Sequence, residues 1–283
     1  MTTTILDGKA TAAAIYDRAT DRVQAIKKTS GVIPCLTTVL VGDDPASVTY
    51  TQMKRNRCEK IGMTSRKVEL PAQTTTKQLV EQIGKLGCDP HVHGILLQHP
   101  VPDHIDERTA FEAIPSSKDV DGVTIASFGA VAFDLPSGYG SATPGGIMRL
   151  LEAYHVDLAG MDAVVVGRSP ILGKPMAMML LAQHATVTIC HSRTRDLDEY
   201  IARADLVVAA VGKPEFVRGQ WIKSGAIVID AGYNPGNVGD VEFDAAADRA
   251  SMITPVPGGV GPMTIAALID QTMDAVERQI LAQ

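Results

Sequence analysis

The stretch Asp162-Ala-Val-Val-Val-Gly-Arg-Ser-Pro-Ile-Leu-Gly173 decides the fold. Its apolar run reads as a strand buried on both faces, the setting of a parallel sheet covered by helices. A glycine-bearing turn follows, and then a helix beginning near Gly173. Gly167 permits a close backbone approach, and the free N–H groups of a helix start suit the pyrophosphate of a dinucleotide. The spacing is G-x-x-x-x-x-G rather than G-x-G-x-x-G, so an ordinary tight strand-to-helix turn shares the layout.

The next strand, Ala185-Thr-Val-Thr-Ile-Cys190, ends about 20 residues on, where an NAD site sets an acid against the ribose 2′-OH. Here the chain continues His191-Ser192-Arg193-Thr194-Arg195. Hydroxyls and cations at that position suit a 2′-phosphate, which a carboxylate repels. Arg168 stands ready to close the same pocket. This favours NADP over NAD; the alternative is that Arg193 and Arg195 decorate a solvated helix start.

Outward from this stretch, short β-branched runs alternate with longer Ala/Leu/Met-rich segments, the βαβα pattern of an α/β fold. In the first half, strands are expected at 35–41, 66–70 and 94–98, with helices near 9–27, 46–61, 76–86 and 107–114. Residues 115–143 read as irregular, and a domain boundary is expected there. A helix at 144–155 precedes strands at 162–167, 185–190, 205–211 and 226–231. The tail, 262–281, carries Ile265, Leu268, Ile269, Met273 and Val276 at the spacing of one amphipathic helix face.

Composition narrows the class. The 283 residues are 45% hydrophobic and 20% charged, enough apolar material for two packed domains. A net charge of −6 argues against a nucleic-acid groove. No apolar run approaches the ~18 residues of a membrane helix. The opening Met-Thr-Thr-Thr-Ile-Leu-Asp-Gly lacks the basic start of a signal peptide. The 4 cysteines, Cys35, Cys58, Cys88 and Cys190, form no C-x-x-C pair. A cytoplasmic protein with reduced thiols is expected. No metal site is expected either. His91 and His93 read as sharing a strand face, but His91, His93, His99 and His104 lack Cys or acidic partners at ligand spacing.

Tyr50 and Lys54 lie four apart on the expected helix 46–61, so their side chains share a face about 5–6 Å apart at Cβ. Proton-transfer enzymes use such a pair, because a buried amine is depressed toward neutrality and a phenol aligns it. Surface packing of the lysine stem gives the same spacing. Gln98 ends an apolar strand, and Asp121 sits in Lys118-Asp-Val-Asp-Gly122. Short-chain dehydrogenases place Tyr-x-x-x-Lys after the nucleotide motif, within one domain. Here it comes more than a hundred residues earlier, which assigns it to a separate substrate domain facing the cofactor across a cleft.

Read in order, Val41-Gly-Asp-Asp-Pro-Ala-Ser47, Tyr50-x-x-x-Lys54, Gly94-Ile-Leu-Leu-Gln98, Lys118-Asp-Val-Asp-Gly122, Val166-Gly-Arg-Ser169, Gly173-Lys-Pro175, Cys190-His-Ser-Arg-Thr194 and Thr254-Pro-Val-Pro-Gly-Gly-Val-Gly-Pro-Met-Thr264 make a recognisable set. From about residue 5 to its end the chain resembles the bifunctional methylenetetrahydrofolate dehydrogenase/methenyltetrahydrofolate cyclohydrolase family. The resemblance implies two α/β domains. A folate-binding catalytic domain would span 1–140 and take back the C-terminal helix at about 262–283. An NADP-binding Rossmann domain would span 141–261. It implies that Lys54 transfers the proton, Tyr50 aligns folate and lysine, Gln98 hydrogen-bonds Lys54, and Asp121 binds the pterin edge. Gly167, Arg168, Ser169, Ser192 and Arg193 would hold NADP, with Tyr233 beside the cofactor through its backbone. Pro257, Gly258 and Gly259 would line the folate cleft, and the protein would be a homodimer.

The chain departs from the common pattern in one region. Many members follow Asp-Val-Asp-Gly with a His-Pro and an Asn, and carry Pro-Cys-Thr-Pro before the second domain. Here the residues are Val123-Thr-Ile-Ala-Ser-Phe128 and Ser141-Ala-Thr-Pro144, and His99 stands where an apolar residue is usual. A shikimate-type dehydrogenase shares the two-domain plan but does not explain the Pro-Gly-Gly-Val-Gly-Pro loop. A non-catalytic folate- or NADP-binding protein does not explain the intact Tyr50, Lys54, Gln98 and Asp121.

Overall fold

A computed structural model describes residues 3–281 and divides the chain into two compact units. One unit is built from Ala14–Ala130, Pro136–Gly140 and the chain from Leu268 on. It holds a parallel sheet of β2 (Cys35–Val41), β3 (Thr64–Leu70) and β4 (Gly94–Leu97) in the order β3-β2-β4. Every residue of the central β2 is buried, as a doubly covered strand requires. Its helices are α2 (Pro45–Lys60), α3 (Thr76–Cys88), α4 (Glu107–Glu112) and most of α5 (Ile125–Ala132). The Asp44 carboxylate caps α2 by accepting the Ser47 N–H at 2.8 Å, with Pro45 in the first turn. A reciprocal Thr75–Gln78 capping box starts α3.

The other unit contains the stretch to Ala13 and the long segment Ser141–Ala267. Its parallel sheet has the order β1-β9-β8-β7-β5-β6. The strands are β1 (Thr4–Ile5), β5 (Asp162–Val166), β6 (Thr186–Cys190), β7 (Leu206–Ala209), β8 (Ile227–Asp230) and β9 (Met252–Ile253). Helices α6 (Ala142–Ala153), α7 (Gly173–Ala182), α8 (Leu197–Arg203) and α9 (Phe243–Ala247) accompany it. The chain leaves β5 toward β6 on one side and returns to β7 on the other. The switch point of a doubly wound sheet therefore falls between β5 and β7. Helices α1 (Gly8–Ser30) and α10 (Val260–Leu281) both run through a division between units. The later part of α10 packs on the three-stranded unit: the Gln271 side-chain amide donates to Val120 O at 2.7 Å and Gly140 O at 2.9 Å.

Two expectations need correction. Residues 115–143 are not wholly irregular, because Ser116–Lys118 forms a 3₁₀ turn and α5 follows. Caps secure this short, glycine-containing helix: Thr124 Oγ1 accepts the Ser127 N–H at 3.2 Å and Glu112 accepts that of Ile125 at 3.0 Å. His91 and His93 do not share a strand face, since both precede β4. His93 is buried, and its Nδ1 accepts the Cys35 N–H at 3.2 Å, which gives the ring a structural task.

Candidate functional site

Ser47, Thr51, Lys54 and Cys58 follow the i, i+4, i+7, i+11 rows of α2 and make its buried face. The helix therefore turns polar groups inward where most helices turn leucines. Lys54 is 8% exposed and its Nζ donates to Gln98 Oε1 at 3.0 Å. Burial lowers the amine below its ordinary value, and the Asp121 charge partly opposes that shift. Gln98 extends the β4 ladder by donating its backbone N–H to Val39 O at 2.8 Å. Its side-chain Nε2 donates to His99 O at 2.8 Å, so both ends of the amide are held and the oxygen stays aimed at Lys54. Tyr50, one turn before Lys54 on α2, is partly buried.

Asp121 owes its place to a residue that sequence reasoning missed. The fully buried Asp119 carboxylate accepts the N–H groups of Val123 and Thr124, each at 3.0 Å, and the Thr124 hydroxyl at 2.7 Å. These bonds close the turn through Gly122, whose φ of +65° favours glycine. Asp121 then lies deep among protein atoms with a partial path to solvent. Burial pushes its carboxyl up to about 6 against the pull of Lys54 and, more weakly, His99. The structure thus brings Lys54, Gln98 and Asp121 together, with Tyr50 on the same helix.

The six-stranded unit offers backbone instead. Gly167 has φ +139°, and a Cβ there would collide with Ala210 O. A Cβ on Gly173 would in turn strike Gly167 O. Only glycines let the β5–α7 turn sit against the strand beside it. Among the described residues no side chain caps the start of α7. Ser169 shapes the turn: its Oγ accepts the Leu172 N–H and its carbonyl that of Lys174, both at 3.1 Å. A cradle of close backbone and an uncapped helix start fits a dinucleotide pyrophosphate.

Arg168 and Ser169 leave β5, while Ser192 and Arg193 leave β6; all four are exposed. Register pairs Val166 with Cys190, and Gly167 N–H donates to Cys190 O at 2.9 Å, so the two turns start side by side. The β6 turn is closed on itself: Thr194 N–H donates to His191 O, and His191 N–H donates to Thr194 Oγ1, each at 2.8 Å. Tyr233 is exposed on the loop after β8, with its hydroxyl donating to Asn237 Oδ1 at 2.7 Å. Pro257, Gly258 and Gly259 precede α10 in this unit, where Gly258 takes φ +117°. The predicted residues therefore divide between the units, with the titratable set in one and the glycine turns in the other.

A six-stranded doubly wound sheet with a glycine turn beside its switch point defines a dinucleotide-binding unit, here joined to a second α/β unit carrying buried ionisable groups. The tetrahydrofolate dehydrogenase/cyclohydrolase catalytic domain matches residues 6–121, and the NAD(P)-binding domain of the same family matches residues 141–280. The chain belongs to this family. It is 62% identical over 282 residues to "Bifunctional protein FolD 1" of Streptomyces avermitilis, covering 100% of this chain and 98% of that one. It superposes with a TM-score of 0.95 on the FolD methylenetetrahydrofolate dehydrogenase/cyclohydrolase of Campylobacter jejuni, at 45% identity over 98% of this chain and 99% of the other. A Trypanosoma brucei FolD, solved with NADP cofactor and inhibitor, gives a TM-score of 0.95 at 36% identity, covering 98% of each chain.

Proposed function

We propose that this chain is a bifunctional one-carbon folate enzyme. It oxidises 5,10-methylenetetrahydrofolate to 5,10-methenyltetrahydrofolate with NADP, then hydrolyses the product to 10-formyltetrahydrofolate. The observation that carries this reading is the buried Lys54–Gln98 pair beside Asp121, in a chain whose second unit is a dinucleotide fold. Bound NADP supplies the hydride acceptor. The chain's own part in the oxidation is positioning, which contributes several kcal/mol without a side-chain base.

The hydrolytic step needs proton transfer, and Lys54 is its agent. A neutral amine takes a proton from water as the oxygen attacks the methenyl carbon; the resulting ammonium returns that proton to the ring nitrogen that leaves, and the adduct's remaining hydroxyl proton passes to solvent as the formyl carbonyl forms. Gln98 keeps the amine aimed, Tyr50 aligns folate and lysine, and Asp121 accepts hydrogen bonds from the pterin edge. Pro257, Gly258 and Gly259 line the folate cleft. Gly167, Arg168, Ser169, Ser192 and Arg193 hold NADP, with Tyr233 beside it through its backbone. The two domains run over 1–140 with about 262–283, and over 141–261, with the strand Thr4–Ile5 of the first lent to the sheet of the second. A cytoplasmic homodimer is part of the same reading. Support for its location comes from four free cysteines and from the lack, among the described residues, of a helix long and apolar enough to cross a membrane.

The test follows methenyltetrahydrofolate absorbance with purified protein, methylenetetrahydrofolate, and NADP or NAD. Transient methenyl product with NADP, followed by its hydrolysis, is expected. Equal use of NAD would remove the assignment of Ser192 and Arg193.

A further inference from the structure

Two buried carboxylates tie together the loops that leave β7 and β8. The Asp240 carboxylate accepts the backbone N–H groups of Val211 at 2.6 Å, Gly212 at 2.8 Å and Lys213 at 2.9 Å. It also accepts the Asn234 side-chain amide at 3.0 Å. Three successive N–H groups turned on one point form a nest, the kind of concavity that elsewhere holds phosphate. Here the chain fills the nest with its own anion. Asp230, at the end of β8, accepts the N–H groups of Gly232, Asp240 and Val241, each at 2.9 Å. Side chains at Gly232 or Gly239 would collide with these carboxylates, so both glycines exist to admit them.

This device sits beside the cofactor turn. Ala210, immediately before the nest, is the residue whose carbonyl lies against Gly167, and its N–H donates to Val166 O at 2.8 Å. Dinucleotides bind at the carboxyl ends of such strands, by the switch point. Beyond the nest the chain is held by bonds that do not use the Asp240 carboxylate: Glu215 N–H to Gly239 O at 3.0 Å, Val217 N–H to Asp240 O at 2.9 Å, Glu242 N–H to Val217 O at 2.9 Å, and Gly219 N–H to the Glu242 carboxylate at 3.0 Å. The Asp240 carboxylate therefore acts directly on the short segment that adjoins the cofactor turn and, through Asn234, ties it to the loop after β8.

We propose that Asp240 is a positioning residue for the nicotinamide dinucleotide: its carboxylate, seated in the 211–213 nest and braced by Asp230, fixes the loop after β7 in the shape that cofactor binding requires. The proposal rests on NADP being the cofactor.

The experiment measures NADPH affinity by fluorescence titration in the full-length protein and in Asp240→Ala, with circular dichroism confirming the fold. Removing a charged acceptor from several donors weakens NADPH binding about tenfold or more, and KM for NADP rises more than kcat falls. Formate, an anion small enough for the emptied nest, restores most of the affinity, judged against wild type in the same formate concentration. A folded Asp240→Ala protein with wild-type affinity overturns the proposal, and so does a loss that formate leaves untouched. Should Asp240→Ala not fold, Asp240→Asn keeps the volume and loses the charge; unchanged NADPH affinity in that variant overturns the proposal equally. Failure of wild type to bind NADPH would instead strike the cofactor reading itself.

Discussion

The two units place their chemistry in opposite parts of the chain. In the three-stranded unit the working groups are side chains, and burial moves them toward neutrality from both directions: Lys54 downward and Asp121 up to about 6. In the six-stranded unit the candidate site is backbone: the β5–α7 turn packs against its neighbours because Gly167 and Gly173 have nothing at Cβ, and it leads into a helix start that no described side chain caps. The first kind of site fails when a functional group is replaced. The second fails when an atom is added. Each prediction below presses on that distinction.

The largest effect is expected at Lys54. Lys54→Met keeps the aliphatic stem and deletes the base, so methenyltetrahydrofolate hydrolysis falls by about 10²–10⁴-fold. NADPH affinity, measured by fluorescence, stays near wild type. Lys54→Arg keeps charge but does not deprotonate. It should lose hydrolysis and retain measurable dehydrogenase activity. Parallel loss of both activities in a protein that still binds folate would merge the two chemistries and undo the contrast.

The distinction also explains what was legible in the sequence. Strand 35–41 matched its observed limits because Cys-Leu-Thr-Thr-Val-Leu-Val is a run of apolar and β-branched residues of strand length. The strand expected at 66–70 begins at Thr64, because Thr64 and Ser65 carry no apolar signal and owe their place to pairing with Cys35 and Leu36. The two-residue strands β1 and β9 exist only through their partners, and no local pattern marks them. Helix α5 hid among glycines and prolines. The spacing of Tyr50 and Lys54 was visible, but Gln98 and Asp121 come from distant segments and gained roles only through the family resemblance. Asp119, Asp230 and Asp240 were not singled out by the sequence at all. A carboxylate that organises backbone amides looks no different in sequence from one facing water.

Adding an atom to the backbone site should have the next largest effect. Gly167→Ala forces a side chain into φ +139° and against Ala210 O. Strain of about 1–3 kcal/mol at such a position lowers NADP affinity by roughly 5- to 150-fold when the free turn relaxes to escape it and binding must restore the original shape. Dehydrogenase activity should fall more than hydrolysis, the reverse of Lys54→Met. A smaller shift is expected at Ser192, one of the side chains proposed to read the cofactor's 2′-phosphate. A charged hydrogen bond to phosphate is worth about 1.5–3 kcal/mol, so Ser192→Asp moves the NADP/NAD ratio of kcat/KM toward NAD by about tenfold or more. An unchanged ratio would mean that the β6 turn does not read the 2′-phosphate.

The smallest effect returns to the three-stranded unit, at a pair whose histidine the sequence marked as a departure from the family. His99 Nδ1 and Glu107 Oε1 are 2.5 Å apart, and their side chains are 47% and 31% exposed. The hydrogen bond to Glu107 raises the imidazole above its ordinary value despite partial burial, and the same bond lowers Glu107. A raised histidine stabilises the fold fully below the unfolded value of about 6.5, and that contribution disappears as pH climbs through the folded value. A lowered glutamate contributes above about 4.3 and loses its contribution as pH falls. The pair is therefore strongest between roughly pH 4.5 and 6.5, where both partners are charged. Glu107→Gln keeps an acceptor for neighbouring N–H groups and removes the charge. For so exposed a pair the loss is at most about 1 kcal/mol. Urea unfolding should show wild type more stable than Glu107→Gln near pH 6, with the difference gone near pH 9, where the imidazole is neutral. A difference of equal size at both pH values would mean that Glu107 holds the 99–101 loop by shape and not by charge.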